Sequence, residues 1–91
     1  MADIAKHIIF SGRVQGVGFR YTARRIALRY ELSGCVKNLP DGSVEMFAQG
    51  KSQALDDALR DIGETFGSYI RDTNIQDQPP NPNLINFGIS F

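Results

Sequence analysis

The sequence predicts an α+β fold: a two-layer sandwich with two helices on one face of a four- to five-stranded, mainly antiparallel sheet. Three observations predict it. Segments of strand and helix periodicity alternate along the chain, a tight Pro-Asp-Gly turn folds two of the strands into a hairpin, and the 91-residue length suits one domain spanning residues 1–91. A chain of this size buries only about 60–65% of its unfolded surface, so the core is small and leaves little room for an internal ligand cavity. Apolar residues make up 42% and charged residues 22% of the chain, which excludes a disordered chain, a collagen and a coiled coil.

Ile8, Ile9 and Phe10 open an apolar run that continues to Val14 and reads as a strand. Gly12, Gly16 and Gly18 fall within seven residues and indicate a loop with unusual backbone angles. Phe19, Ala23, Ile26, Ala27 and Tyr30 then recur at helical spacing on one face, with Arg24, Arg25 and Arg29 mostly on the other, until Ser33 and Gly34 end the helix. Cys35 to Leu39 and Ser43 to Gln49 are the hairpin strands, joined at Pro40-Asp41-Gly42, where proline presets its own backbone angle and glycine accepts a positive φ. Ser52 is placed to cap a second helix whose apolar face is Leu55, Ala58, Leu59 and Ile62, and which Gly63 and Gly67 end. Tyr69 to Gln76 is a weaker strand, the proline-rich stretch Gln78 to Asn83 is a loop, and Ile85, Phe87, Ile89 and Phe91 alternate as a closing strand.

This βαββαβ series is the split-βαβ, ferredoxin-like arrangement. Right-handed crossovers make the first two strands parallel, and in this fold the third strand inserts between them. Their carboxyl ends then share one rim about 10 Å apart, two strand spacings. The glycine loop and Asn38 both lie on that rim.

Formal net charge is zero but uneven. Residues 1–37 carry seven Lys and Arg against two Asp and Glu, and residues 38–91 carry three against eight. No acidic residue falls between Ile4 and Glu31, where Arg13, Arg20, Arg24, Arg25 and Arg29 are concentrated. Such a segment is either a local anion site or a solvated basic helix face. Gly16 and Gly18 allow the backbone to curl so that successive N–H groups point inward, and the following helix adds its unpaired N–H groups. Arg20 at the helix start opposes the dipole; a bound phosphate would offset that, because guanidinium matches phosphate oxygens bidentately. An ordinary loop carrying a surface arginine is the alternative reading. The loop is not a Walker A, which needs Gly-Lys-Ser/Thr, nor a dinucleotide fingerprint, since Tyr21 stands where glycine or alanine is required.

Other polar or reactive residues read as structural. His7 reads as a surface or half-buried strand residue, Cys35 as a buried packing cysteine, and Arg24 as a solvated arginine. Asp41 reads as a turn former, and Tyr21 and Tyr30 as packing residues. The single cysteine cannot form an internal disulfide, no stretch approaches 18 apolar residues, and the segment Met1 to Lys6 lacks the apolar core of a signal peptide. A cytoplasmic monomer that binds neither nucleic acid nor membrane is expected.

The string Gly12-Arg13-Val14-Gln15-Gly16-Val17-Gly18-Phe19-Arg20, followed by Val36-Lys37-Asn38-Leu39-Pro40-Asp41-Gly42 and later by Phe87-Gly88-Ile89-Ser90-Phe91, strongly resembles the acylphosphatase family over nearly the whole chain. The resemblance implies hydrolysis of the carboxyl–phosphate bond of a small-molecule acyl phosphate, releasing a carboxylate and inorganic phosphate. It implies that Gln15, Gly16, Val17, Gly18 and Phe19 cradle the phosphate together with Arg20, and that Asn38 orients the attacking water. Arg20 and Asn38 are then the catalytic residues. Cys35 departs from the family pattern, since many relatives carry a bulky aromatic there. Direct attack by water is expected, with no metal, no cofactor and no phosphoenzyme. The alternatives are a carbamoyl-phosphate-handling module of the same kind, which tends to read Gly-Phe-Arg-Pro where Tyr21 stands here, and a non-catalytic ferredoxin-like domain that binds RNA or a metabolite. RNA stacking needs an aromatic, basic central strand, and Ser43 to Gln49 offers one aromatic and an acidic residue.

Overall fold

The structure, a computed structural model, describes residues 3–91; Met1 and Ala2, the head of the segment that lacks a signal-peptide core, lie outside the described residues. Strand β1 (Ile4–Gly12) leads through the glycine loop into helix α1 (Phe19–Arg29), then the hairpin of β2 (Ser33–Asn38) and β3 (Val44–Gly50). Helix α2 (Ser52–Phe66) and a single 3-10 turn at Gly67–Tyr69 precede β4 (Ile70–Gln78) and β5 (Phe87–Ser90). The sheet order is β4-β1-β3-β2-β5. β3 runs antiparallel to both β1 and β2, so those two are parallel to each other, while β5 pairs parallel with β2. The expected α+β sandwich and the insertion of the third strand are both present.

One face of the sheet supplies Ile8, Phe10, Val36, Val44, Met46 and Ala48 to the core, beneath Phe19, Ala23, Ile26 and Ala27 of α1 and Leu55, Ala58, Ile62 and Phe66 of α2. Strand alternation turns the neighbouring residues to the other face. There His7 Nε2 lies 2.9 Å from Glu45 Oε2, and Lys37 Nζ lies 3.7 Å from Glu45 Oε1. The half-buried structural role expected for His7 is found. Cys35 is on this helix-free face and is exposed, not buried as expected, because its neighbour Val36 takes the inward position.

Several boundaries differ from the sequence reading, each for a local reason. β1 starts at Ile4, where backbone pairing with Gly50 begins, and stops at Gly12; Val14 is buried from the loop. α1 ends at Arg29, earlier than Ser33. Leu32 N–H donates to Ala27 O and Glu31 N–H to Leu28 O, a Schellman closure with Glu31 at φ 59° in the position glycine usually takes. Lys51, not Ser52, is the N-cap residue of α2; its carbonyl accepts from Leu55 N–H, and Ser52 is already helical. Gly63 lies inside that helix, and Gly67 alone ends it. β4 runs Ile70–Gln78, and only Phe87–Ser90 of the closing alternation pairs, because β2 offers pairing partners from Gly34 to Lys37 alone. Ile85 and Phe91 are left exposed. Tyr30 donates its hydroxyl to Asp61, and that bond is the main cause holding the phenol above its ordinary pKa. Tyr21, expected to pack, is exposed on the first turn of α1.

Gly34 is the tightest point of the hairpin. It sits at φ 145°, and a Cβ there would lie 1.8 Å from the Phe47 carbonyl oxygen. Gly34→Ala is expected to lower stability by about 2–3 kcal/mol, the scale of an overpacked site that must shift backbone. A urea midpoint unchanged from the parent would contradict this.

Candidate functional site

Six residues lead from β1 to α1, and their backbone makes one side of the site. Gly16 and Gly18 have φ of 77° and 76°. A Cβ at either would meet nothing within 4 Å, so glycine is required there for its backbone angle and not for space. Gly18 is the N-cap of α1 in the left-handed conformation and has no side chain to cap the helix. Thr22 N–H reaches back to Gly18 O at 3.1 Å, the first bond of the helix. The N–H groups of Phe19, Arg20 and Tyr21 precede that bond and are the orphan donors every helix start carries. No acidic residue occupies the first turn to meet their positive dipole end.

The residues that carry those donors line a cleft of about 110 Å³. Gly16, Gly18, Phe19, Arg20 and Tyr21 form its loop and helix side; Val14 and Asn38 form the strand side. Arg20 and Asn38, eighteen positions apart in sequence, therefore share one cavity. The volume is below the roughly 300–1,000 Å³ of sites that enclose a drug-sized ligand, so it suits a small anionic group with the remainder of a molecule outside.

Gln15 and Val17 are not among the residues lining the cleft. The Gln15 amide nitrogen points the other way, donating to Leu39 O at 2.8 Å and Ser43 O at 2.9 Å. Both its hydrogens are thus used in tying the loop to the hairpin turn immediately after Asn38. That turn is itself closed by Gly42 N–H to Leu39 O and Leu39 N–H to Ser43 O. Asp41 Oδ1 accepts from the Ser43 hydroxyl and backbone N–H. These two bonds, the hydroxyl first, hold the Asp41 carboxyl below the usual carboxylate range. Asp41 is therefore the turn former that the sequence suggests.

On the helix side, Arg20 Nη1 donates to Ser90 O at 3.2 Å, and its guanidinium carbon lies 4.8 Å from the centre of the Phe91 ring. Arg24 is exposed, in keeping with the solvated reading, and it also donates from Nε to Phe87 O at 3.1 Å, which fastens α1 to β5. The sequence carries no local signal for the Gln15, Arg20 or Arg24 contacts, since each joins residues 24 or more positions apart.

The family model described as Acylphosphatase matches residues 6–89. An acylphosphatase of Geobacillus thermodenitrificans is 42% identical over 87 residues, covering 93% of this chain and 92% of its own length. One from Geobacillus kaustophilus is 57% identical over 67 residues, 71% of each chain. Among solved structures, acylphosphatase from Bacillus subtilis superposes with a TM-score of 0.89 at 33% identity, covering 97% of this chain and 99% of that one.

The Gln15 clamp has a direct test. Gln15→Leu leaves the Leu39 and Ser43 carbonyls without that donor and is expected to cost about 1–3 kcal/mol. Amide hydrogen exchange at Leu39 and Gly42 should quicken with it. Exchange at the parent rate in the hairpin turn would show that the clamp holds nothing.

Proposed function

The chain belongs to the acylphosphatase family, and on that basis we propose how it hydrolyses the carboxyl–phosphate bond of an acyl phosphate to a carboxylate and inorganic phosphate. The Gly16–Phe19 backbone and the first turn of α1 receive the phosphoryl oxygens, Arg20 adds a full positive charge, and Asn38 aims a water at phosphorus. The observation that carries this reading is the shared cleft. Orphan helix donors, an arginine and an asparagine amide line one small cavity whose helix start bears no carboxylate.

The chemistry explains why so few groups suffice. An acyl phosphate is a mixed anhydride whose leaving group is a carboxylate, the conjugate base of an acid with pKa about 4–5. It departs without a proton, so no general acid is required. What remains is to neutralise charge on the transferring phosphoryl group and to hold water in line with the breaking bond. Fixed N–H dipoles and the guanidinium do the first without reorganising during the reaction. The Asn38 amide can accept a proton of the water at its oxygen and donate from its nitrogen to a phosphoryl oxygen. A neutral amide is a weak base, so the water's proton passes to a phosphoryl oxygen or to solvent. Attack is direct, with no phosphoenzyme, no metal and no cofactor. Gln15 contributes through the clamp on the hairpin turn, and Val17 through the backbone curl of the loop.

We further propose that the 91 residues act as one catalytic unit, a cytoplasmic monomer whose partners are the small acyl phosphate and the phosphate product, not nucleic acid or membrane. Among the described residues no helix is long and apolar enough to cross a membrane.

Two variants separate the assigned roles. With benzoyl phosphate as substrate, Arg20→Ala is expected to lose both inhibition by inorganic phosphate and turnover. Asn38→Ala should retain phosphate inhibition and lose about 2.7–4 kcal/mol of transition-state stabilisation, a fall of about 10²–10³ in kcat. Arg20→Ala activity within about threefold of the parent would overturn the anion site, and weak phosphate binding with normal turnover in Asn38→Ala would reverse the two roles. Incubation with EDTA should leave the rate unchanged; a rate that falls and returns with a divalent cation would overturn the metal-free mechanism.

A further inference from the structure

The cleft gives the phosphoryl group a place and leaves the acyl group without one. At about 110 Å³ it suits a small anionic group, so the acyl half of the substrate lies at the mouth, against the side chains that stand there. Two large apolar side chains of the glycine loop and the first turn of α1 stay exposed, Val17 at 38% and Tyr21 at 63%. Of these two, Tyr21 lines the cleft. It follows Phe19 by two positions, about 200° around the helix, and Phe19 is the residue of that turn committed to the core. Tyr21 therefore stands at the site without a packing role in the helical layer.

We propose that Tyr21 is a specificity-determining residue: its ring is the platform on which a flat, apolar acyl group lies while the phosphoryl group sits in the cleft. Side chains of an α-helix lean toward its N-terminus and cover the turn before their own Cα. Tyr21 is the third residue of α1, so the turn before it is the glycine loop and the mouth of the cleft. The loop leaves that space open, since a Cβ at Gly16 or Gly18 would meet nothing within 4 Å. A tyrosine ring suits a half-wet position of this kind, offering a broad apolar face and a hydroxyl that stays in water. With only two side-chain torsions to order, it presents that face at a low cost in entropy. An aromatic acyl group gains from the contact and an acetyl group has too little surface to do so. The contact is remote from phosphorus and is the same before and during bond breaking, so it acts on KM and not on kcat.

This role rests on the reading of the cleft as the phosphoryl site, and the measurements keep the two apart. For the full chain, kcat and KM are determined with benzoyl phosphate and with acetyl phosphate, in the parent, Tyr21→Ala, Tyr21→Phe and Arg20→Ala, and inorganic phosphate is used as the inhibitor. The parent is expected to favour benzoyl phosphate in kcat/KM. Tyr21→Ala is expected to lower the benzoyl-to-acetyl ratio of kcat/KM by about three- to tenfold, the scale of one aromatic contact, through a raised KM for benzoyl phosphate. The ratio is taken within each variant, so any loss of folded protein cancels. Tyr21→Phe, which keeps the ring, is expected to restore the parent ratio. A parent with no preference for benzoyl phosphate, a ratio in Tyr21→Ala equal to the parent's, or a Tyr21→Phe ratio as low as that of Tyr21→Ala would each overturn the platform, and the anion site would stand if Arg20→Ala abolishes phosphate inhibition. If Arg20→Ala leaves phosphate inhibition intact, both proposals fail.

Discussion

Everything in the site depends on β3 lying between β1 and β2 and running against both. That single constraint makes the two strands flanking β3 parallel and delivers their carboxyl ends to the same rim. One end opens into the glycine loop and the bare start of α1; the other ends at Asn38. Sheet register then sets the spacing across the rim at about two strand widths, roughly 10 Å. Gln15 reinforces it locally by hydrogen-bonding the loop to the hairpin turn. Flexibility in either piece would turn a preorganised cavity into two unrelated loops.

In the proposed mechanism the functional groups are mostly main chain. Three orphan N–H groups at a helix start and two glycines at positive φ make a concave set of donors that needs no side-chain rotamers to be ordered. In that proposal Arg20 and Asn38 bring the side-chain chemistry to it, and one of these is neutral. Such economy suits a substrate that is already activated. With a carboxylate leaving group, the barrier lies in charge and geometry more than in proton transfer, and fixed dipoles address both.

Features written in adjacent residues were legible in the sequence. The Pro40-Asp41-Gly42 turn, the glycine spacing before Phe19 and the apolar face of α1 are local, and the structure has each of them. The βαββαβ order was legible for the same reason, and topology rules then carried it to the shared rim. Features that depend on partners far along the chain were not. The Gln15 amide looks like a loop side chain until Leu39 and Ser43 are placed beside it, and the bond from the exposed Arg24 to Phe87 O needs β5 next to α1. The place of Cys35 is not local either: an apolar pair, Cys35-Val36, can put only one member inward, and the pairing of β2 with β3 decides which. Glu31 shows a different limit: its left-handed backbone closes α1 where the sequence offers no glycine to mark the helix end.

Titration of isotopically labelled protein with inorganic phosphate, followed by the backbone and side-chain amide resonances of each residue, tests the central claim most directly. Saturable shifts are expected at the backbone amides of Gly16 through Tyr21, at the Arg20 guanidinium and at the Asn38 side-chain amide, converging on one dissociation constant. Shifts confined to the opposite end of the helical layer, around Tyr30 and Lys51, or an Asn38 amide that stays still while the loop responds, would contradict it.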